Sequence, residues 1–491
     1  MKKSGTILST KHAVTYAMGI FGVQILIGYV NNFQAEFYNK MYSGFDPNIF
    51  YASAVIIFVS KLISCVGDPI IGSLIDRSDA KGGKIRPWIL RSAFPIALLT
   101  VLLFVFIPFN SKVLLYSYIT LTSVLWNVAM SFADIPSQGM LSRLTPNVRE
   151  RDRAASWSNI AKSSALSVAG VFVTVMMVLL NALKGADNYS DGTLFLTTAL
   201  FLMVMGGGFY LLIYFCNREA VKDTPAATVS MKDMFSELKN NRMILIVFLT
   251  YILGFARNML VLVGLQANGA LIGSRVNLFG WEMDPTTDGN WLPGLLGGLS
   301  GFLGLCVVPI INKKLGEKKT HIAFSVATFL VMMSACVFYW LLPAESPLRH
   351  GNSALYMIMA LQFVAAFVLS SVAYIPLIMT ADIVDYEQWK TGRRKEGVNF
   401  AILSMAIKLS NALSVAAGLL VIAVSGYTQV KYELSMSGIE PIPVRTQNIA
   451  MFAYFGFAGV SALICVLPML FYKIDAKAKR EMAEALNKEP V

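Results

Sequence analysis

Runs of eighteen or more mostly apolar residues recur along the whole of this 491-residue chain, and they limit its fold more than any other feature. A helix of about 20 residues spans the ~30 Å hydrocarbon core of a bilayer. Inside that core every backbone N–H and C=O needs an internal partner, which a helix supplies. Twelve such runs are read, at 13–38, 48–75, 87–108, 113–140, 157–182, 193–215, 242–268, 292–313, 321–342, 354–382, 398–426 and 448–473. Only 14% of the residues are charged, against about 25% in soluble domains. The pattern predicts an all-α membrane protein of twelve transmembrane helices. The opening Met1-Lys2-Lys3-Ser4-Gly5 is followed by no small-residue cleavage site, and the first run is too long and polar for a cleavable signal.

Basic residues fall unevenly between the runs. If the N-terminus is inside, the inner segments hold Arg77, Lys81, Lys84, Arg86 and Arg91, then Arg143, Arg149, Arg151 and Arg153. Later inner segments hold Lys313, Lys314, Lys318 and Lys319, and Lys390, Arg393, Arg394 and Lys395. The outer segments hold only Lys40, Lys112, Lys184, Arg275, Arg349, Lys431 and Arg445. By the positive-inside rule both termini are cytoplasmic, in a bacterial inner membrane. The net charge of +12 is then a topology signal, and no nucleic-acid partner is expected.

Cys65, Cys216, Cys306, Cys336 and Cys465 lie in or beside the runs at no metal-ligand spacing, as packing residues do. His12, His321 and His350 are scattered, so neither a zinc site nor His-based catalysis is indicated, and an enzyme is not expected. No Gly-x-x-x-x-Gly-Lys-Ser/Thr motif occurs, which argues against ATP as the energy source.

The chain divides into a bundle at 1–216, a linker at 217–241, a second bundle at 242–473 and a tail at 474–491. In the linker, Ser230-Met231-Lys232-Asp233 reads as a capping box. Met231, Met234, Phe235 and Leu238 follow as an amphipathic stripe suited to the membrane surface. Gly72-x-x-x-Asp76-Arg77 after the second run has a degraded counterpart in Val308-x-x-x-Asn312-Lys313 after the eighth. Two six-helix bundles with substrate between them at mid-depth are the expected architecture.

Polar residues inside the runs fall into stripes. Lys61, Ser64 and Asp68 share one face of the second run; Asn127, Ser131, Asp134 and Gln138 share one face of the fourth. Gln24, Gly28 and Asn31 align in the first, Asn159, Ser163 and Ser167 in the fifth, and Ser404, Lys408 and Asn411 in the eleventh. Arg257 and Asn258 in the seventh run are candidates to line the cavity from the other half. Ser and Asn in membranes often only pack helices. Asp134 and Lys408 are ionisable and central, where charge costs about 2.5–3.5 kcal/mol on insertion scales and is usually kept for a task.

Several separated motifs resemble one family. Gly72-x-x-x-Asp76-Arg77 with Lys84-x-Arg86-Pro87-Trp88 resembles the way major facilitator transporters join their second and third helices. Asp68-Pro69, Asp134-Ile135-Pro136, and Ala381-Asp382-Ile383-Val384-Asp385-Tyr386 continuing to Arg393-Arg394-Lys395-Glu396-Gly397, followed by Lys408, look like the glycoside–pentoside–hexuronide:cation symporters. That resemblance implies that Asp134 and Lys408 belong to the sugar and coupling region; the aligned polar positions add Gln24, Asn31, Gln138, Asn159 and Asn411 as candidate substrate-binding residues. It implies a coupling-ion site at Asp68 with Ser131 beside it, and the stripe on the second run adds Ser64 and Lys61. Asp68 would be the metal ligand if the ion were Na⁺. A cytoplasmic gate would draw on Asp76, Arg77, Arg86, Asp382, Asp385, Arg393 and Arg394.

This chain also departs from the family pattern. Ser64 stands where the family has a second acidic residue, Gln24 for an Asp, Asn159 for an Arg and Gln138 for an aromatic. Neutral amides keep a hydroxyl-rich ligand possible, since they donate and accept. Loss of a carboxylate weakens a hard-cation site. The expected function is uptake of a sugar-like solute, a glycoside, oligosaccharide or uronide, by H⁺ or Na⁺ symport with alternating access and no other cofactor. H⁺ ranks above Na⁺, and Lys61 is close enough to Asp68 to pair with it. The alternatives are a facilitative sugar uniporter and a lysolipid-type carrier. A monomer in contact with membrane lipid is expected.

Overall fold

The structure is a computed structural model that describes residues 9–76, 83, 85–145, 148–185, 189–219, 231–262, 264–278, 281–286, 291–392, 396–474 and 476–485. It is helical almost throughout. The chain forms α1 (Thr10–Tyr42), α2 (Ile49–Asp76), α3 (Arg86–Leu103), α4 (Lys112–Leu144), α5 (Val148–Lys184), α6 (Asp191–Cys216) and the short α7 (Met231–Asn240). Then come α8 (Arg242–Leu253), a 3-10 turn at Phe255–Asn258, α9 (Met259–Leu262), α10 (Gly264–Ile272), and the hairpin β1 (Val276–Leu278) and β2 (Trp281–Met283). The remainder is α11 (Trp291–Leu315), α12 (Glu317–Leu341), α13 (Gly351–Thr391), α14 (Glu396–Val424), α15 (Gln429–Met436), α16 (Val444–Met451), α17 (Phe457–Ile464), α18 (Val466–Met469) and α19 (Ala476–Ala485).

Ten described helices are long and apolar enough to cross a membrane, and two shorter apolar helices, Val168–Leu183 and Arg242–Leu253, fall on the fifth and seventh runs. The seventh run is not one continuous helix, as expected from sequence, because it breaks after Leu253. On α2 the large apolar side chains Val55, Val59, Ile63, Val66, Ile70 and Leu74 are exposed, while Ile57, Ser60, Ser64, Ile71 and Ile75 are buried. An apolar stripe facing outward and hydroxyls facing inward is the reverse of a soluble helix, and fits a helix that has lipid on one side.

Two compact units emerge, Met1–Thr228 with Thr286–Trp291, and Val229–Pro285 with Leu292–Val491. In the first unit α1 is buried on nearly every side, packed against α5 and α6. Its crossing with α6 depends on glycine. A Cβ at Gly22 would lie 2.5 Å from the Gly206 carbonyl oxygen, and one at Gly206 would lie 2.9 Å from that of Gly22. Small residues let membrane helices approach this closely, where packing is the main attraction. Across the unit, Trp126 donates to Thr100 at 2.9 Å and Tyr29 to the Phe195 carbonyl at 2.7 Å.

In the second unit, Met234 and Leu238 of α7 join a core with Ile244, Ile383, Ile402 and Met482. The amphipathic helix expected in the linker therefore packs on this bundle. Just past α6, Asn217 is buried and Glu219 is bonded to the start of α3. The tail is not merely a free extension: α19 packs on α13 and buries Met482. At the hairpin, Asn352 accepts from the Asn277 N–H and donates back to its carbonyl, both at 2.8 Å, imitating one more strand.

Arg349 is fully buried near that end of the unit. It donates to the carbonyls of Tyr339 (2.8 Å), Leu342 (3.0 Å) and Pro343 (3.1 Å), and to Gln447 and Asn448. Its guanidinium lies 4.4 Å from the centre of the Tyr339 ring.

Candidate functional site

Asp134 is the centre of the polar interior of the first unit. Its two carboxylate oxygens accept from two neutral amides, Oδ1 from Gln24 at 2.9 Å and Oδ2 from Gln138 at 2.7 Å. Gln138 is one turn on along α4, and Gln24 comes from α1. Pro136 inside α4 withholds a backbone N–H and disturbs the local ladder. Nearby carbonyls on α4 accept from hydroxyls, Ala133 from Tyr210 at 3.0 Å and Ser137 from Tyr16 at 2.9 Å. Those two tyrosines escaped the sequence reading, because an aromatic in an apolar run looks like packing.

Further along α4, Ser131 shares a hydrogen bond of 2.8 Å with Ser64 of α2, and Ser64 also donates to the Asn127 carbonyl at 3.2 Å. Gln34 extends the line to Ser123 at 2.7 Å. Lys61 donates to Asn31 at 3.0 Å, and among the described residues it makes no ion pair with Asp68. The sequence left a Lys61–Asp68 pair open, and the described contact of Lys61 is Asn31. Side chains on a helix lean toward its N-terminus, so Lys61 reaches away from a residue two turns C-terminal to it. Asp68 itself is half-buried. Asn159 is exposed and does not join the Asp134 cluster; the side chains of Ser163 and Ser167 lie outside the described residues.

The second unit has its own polar cluster. Asn258 of the 3-10 turn donates to Asn411 of α14. Lys408 lies one turn before Asn411, half-buried and engaged. Gln362 of α13 reaches the Leu260 carbonyl at 3.5 Å.

At the lysine- and arginine-rich ends, Arg86 and Asp382 have partners within their own units. The Arg86 Nε donates to the Tyr214 carbonyl at 2.7 Å, at the C-terminus of α6. Glu219 accepts from the backbone N–H of Ile85 (2.8 Å) and Arg86 (2.9 Å), at the N-terminus of α3, and pairs with Arg143 at 3.3 Å. Each charge meets the helix end of opposite polarity. Gly83, at φ 118°, makes room for that carboxylate: a Cβ would lie 2.3 Å from its Oε1. In the second unit Lys479 of α19 pairs with Asp382 at 2.6 Å and Glu317 at 2.7 Å. Asp385 is half-buried. The Asp76 side chain, Arg77, Arg393 and Arg394 lie outside the described residues.

Among the described residues, no three of His, Cys, Asp and Glu come together to hold a metal ion. What both units do present is a row of amides, hydroxyls and a few charges within apolar helices.

The profile of one family, described as MFS/sugar transport protein, matches residues 15–476. The chain belongs to that family. Its resemblance to the glycoside–pentoside–hexuronide symporters is therefore upheld, and its activity is that of a secondary transporter embedded in a membrane. Among curated relatives, the isoprimeverose transporter of Lactiplantibacillus pentosus is 23% identical, with 96% of this chain and 91% of that protein covered. The inner membrane symporter YicJ of Escherichia coli (strain K12) is 24% identical over the same shares, 96% and 91%. Among solved structures, a D-xylose-proton symporter matches with a TM-score of 0.61 at 15% identity, covering 94% of this chain and 98% of that one. This last likeness establishes the MFS fold alone.

Proposed function

We propose that this MFS sugar transporter takes up a small glycoside or oligosaccharide by proton symport, with alternating access. The observation that carries the reading is Asp134, a buried carboxylate held between Gln24 and Gln138. A carboxylate bracketed by amides offers acceptors and amide donors together, as the hydroxyls of a sugar require. Curated relatives named for isoprimeverose, lactose and raffinose support the same solute class. The Asn258–Asn411 pair with Lys408 is the corresponding contribution of the second unit. We take the chain to be a non-enzymatic, monomeric protein of a bacterial inner membrane with both termini inside, in keeping with its basic segments.

For the coupling ion, the stripe Lys61, Ser64 and Asp68 on α2 carries one carboxylate, Asp68, and its hydroxyl, Ser64, is bonded to Ser131. Na⁺ prefers several oxygen ligands with charge among them, as hard cations do; a single carboxylate suits a proton. Lys61, an ammonium already within the stripe, favours uncoupled transport as the second reading. A lysolipid carrier is disfavoured by the amides and hydroxyls that fill both interiors.

Uptake of labelled isoprimeverose, lactose, raffinose and methyl glucuronide into proteoliposomes tests this. Accumulation should follow an imposed proton gradient, collapse with a protonophore and ignore Na⁺. Equilibration without accumulation would favour the uniporter. Failure to move or bind any carbohydrate would end the sugar reading.

A further inference from the structure

The break in the seventh run is held together by side chains. α8 ends at Leu253, Gly254 follows, and Phe255–Asn258 wind as a 3-10 turn. Carbonyls freed inside a membrane span cost several kcal/mol each if nothing binds them. Here Nη1 of Arg257 donates to the Tyr251 carbonyl at 3.3 Å and adds a bond at 3.1 Å to the Gly254 carbonyl, which the Arg257 N–H also reaches at 3.3 Å; its guanidinium lies 4.2 Å from the centre of the Tyr251 ring. From α17, Ser461 donates to the Leu253 carbonyl at 2.7 Å and accepts from the Ala256 N–H at 3.2 Å. Among the described residues no carboxylate lies within ion-pair distance of Arg257. A charge retained in a span without a counter-ion needs a reason, and the bonds it makes are to the broken backbone.

The next residue along, Asn258, bonds Asn411 on α14. We propose that Arg257 is a positioning residue: by fastening the 3-10 turn it sets the Asn258 amide against Asn411, and so orients the sugar-binding face of the second unit. The role of that face rests on the transport reading above; the fastening of the turn does not. A planar guanidinium can reach two carbonyls while lying on a ring, which a compact ammonium cannot. Gly254 leaves it space, because a Cβ there would be 3.3 Å from Nη1 and 3.0 Å from the Thr250 carbonyl oxygen.

The test uses the full-length protein and first needs no sugar. Thiols introduced by Asn258→Cys and Asn411→Cys report the turn through oxidative disulfide formation, mapped by peptide analysis. Adding Arg257→Ala should lower the yield about ten-fold, the effect of one lost hydrogen bond of about 1.4 kcal/mol. Millimolar guanidinium should restore it; Na⁺ and Arg257→Lys should not. Gly254→Ala crowds the guanidinium while keeping its charge, and should give the same loss if Arg257→Ala does not fold.

In proteoliposomes Arg257→Ala should raise KM for labelled lactose and for methyl glucuronide alike, with guanidinium rescue of both. Undiminished cross-linking in Arg257→Ala and Gly254→Ala overturns the proposal. So does a transport defect confined to the glucuronide, which would make Arg257 a direct contact for the carboxylate of the substrate. If wild type moves neither sugar while the cross-linking pattern holds, the turn is positioned as proposed and the transport reading fails instead.

Discussion

Asp134 and Lys408 show how one residue type acquires meaning from its surroundings. Asp134→Asn keeps the shape of the Gln24–Asp134–Gln138 cluster and removes its charge. Hydrogen bonds to a charged group are worth about 1.5–3 kcal/mol, so sugar affinity should fall by about 10- to 100-fold, read as a change in Kd by isothermal titration. Lys408→Ala should abolish accumulation while leaving the protein inserted and folded, and Lys408→Arg should rescue it poorly. Normal accumulation by Lys408→Ala at equal membrane abundance would remove Lys408 from the site. Both residues were legible in sequence because a charge in an apolar run stands out. The hydroxyl partners Tyr16 and Tyr210, and the direction in which Lys61 reaches, were not: spacing gives the face of a helix but not the neighbour it meets.

At the scale of elements, the runs predicted helices well wherever a run was continuous and its polar residues kept to one face. They predicted poorly where backbone bonding is replaced by side chains. The sequence Leu253-Gly254-Phe255-Ala256 is apolar enough to pass for helix, and only Arg257 and the distant Ser461 account for the break. The residues just past α6 are hard to read for a related reason. Asn217 and Glu219 look like loop residues, yet Glu219 caps α3 from the end of α6. The α1–α6 crossing yields a sharp prediction. Gly22→Leu places a side chain where the Gly206 backbone already lies, 2.5 Å from the would-be Cβ. Overpacking of this kind costs about 1–3 kcal/mol and sometimes more, so the thermal midpoint should drop by several degrees, whereas Gly208→Leu, with open space at its Cβ, should leave it nearly unchanged.

For the whole molecule, the fold class followed from the number and length of the runs, since membrane insertion leaves a chain few alternatives. What composition does not express is the different way each unit is tied at the end away from its basic segments. In the first, Asp46 pairs with Lys112 at 3.2 Å and accepts from Tyr116 at 2.6 Å and from the Asn48 N–H at 3.0 Å. Burial alone would raise the Asp46 carboxyl, but these donors and the lysine charge together hold it below its ordinary value of 3.8. A depressed carboxylate stabilises the fold above that ordinary value, and its contribution is lost as pH falls through the lower, folded-state one. Asp46→Asn should therefore melt earlier than wild type at neutral pH and converge with it in strong acid; a gap that persists in acid would contradict the assignment. The corresponding tie in the second unit is Arg349, bound to backbone carbonyls and neutral amides that do not titrate. One bolt rusts in acid and the other does not: souring the medium should loosen the Asp46 corner of the first unit while the Arg349 corner of the second still holds.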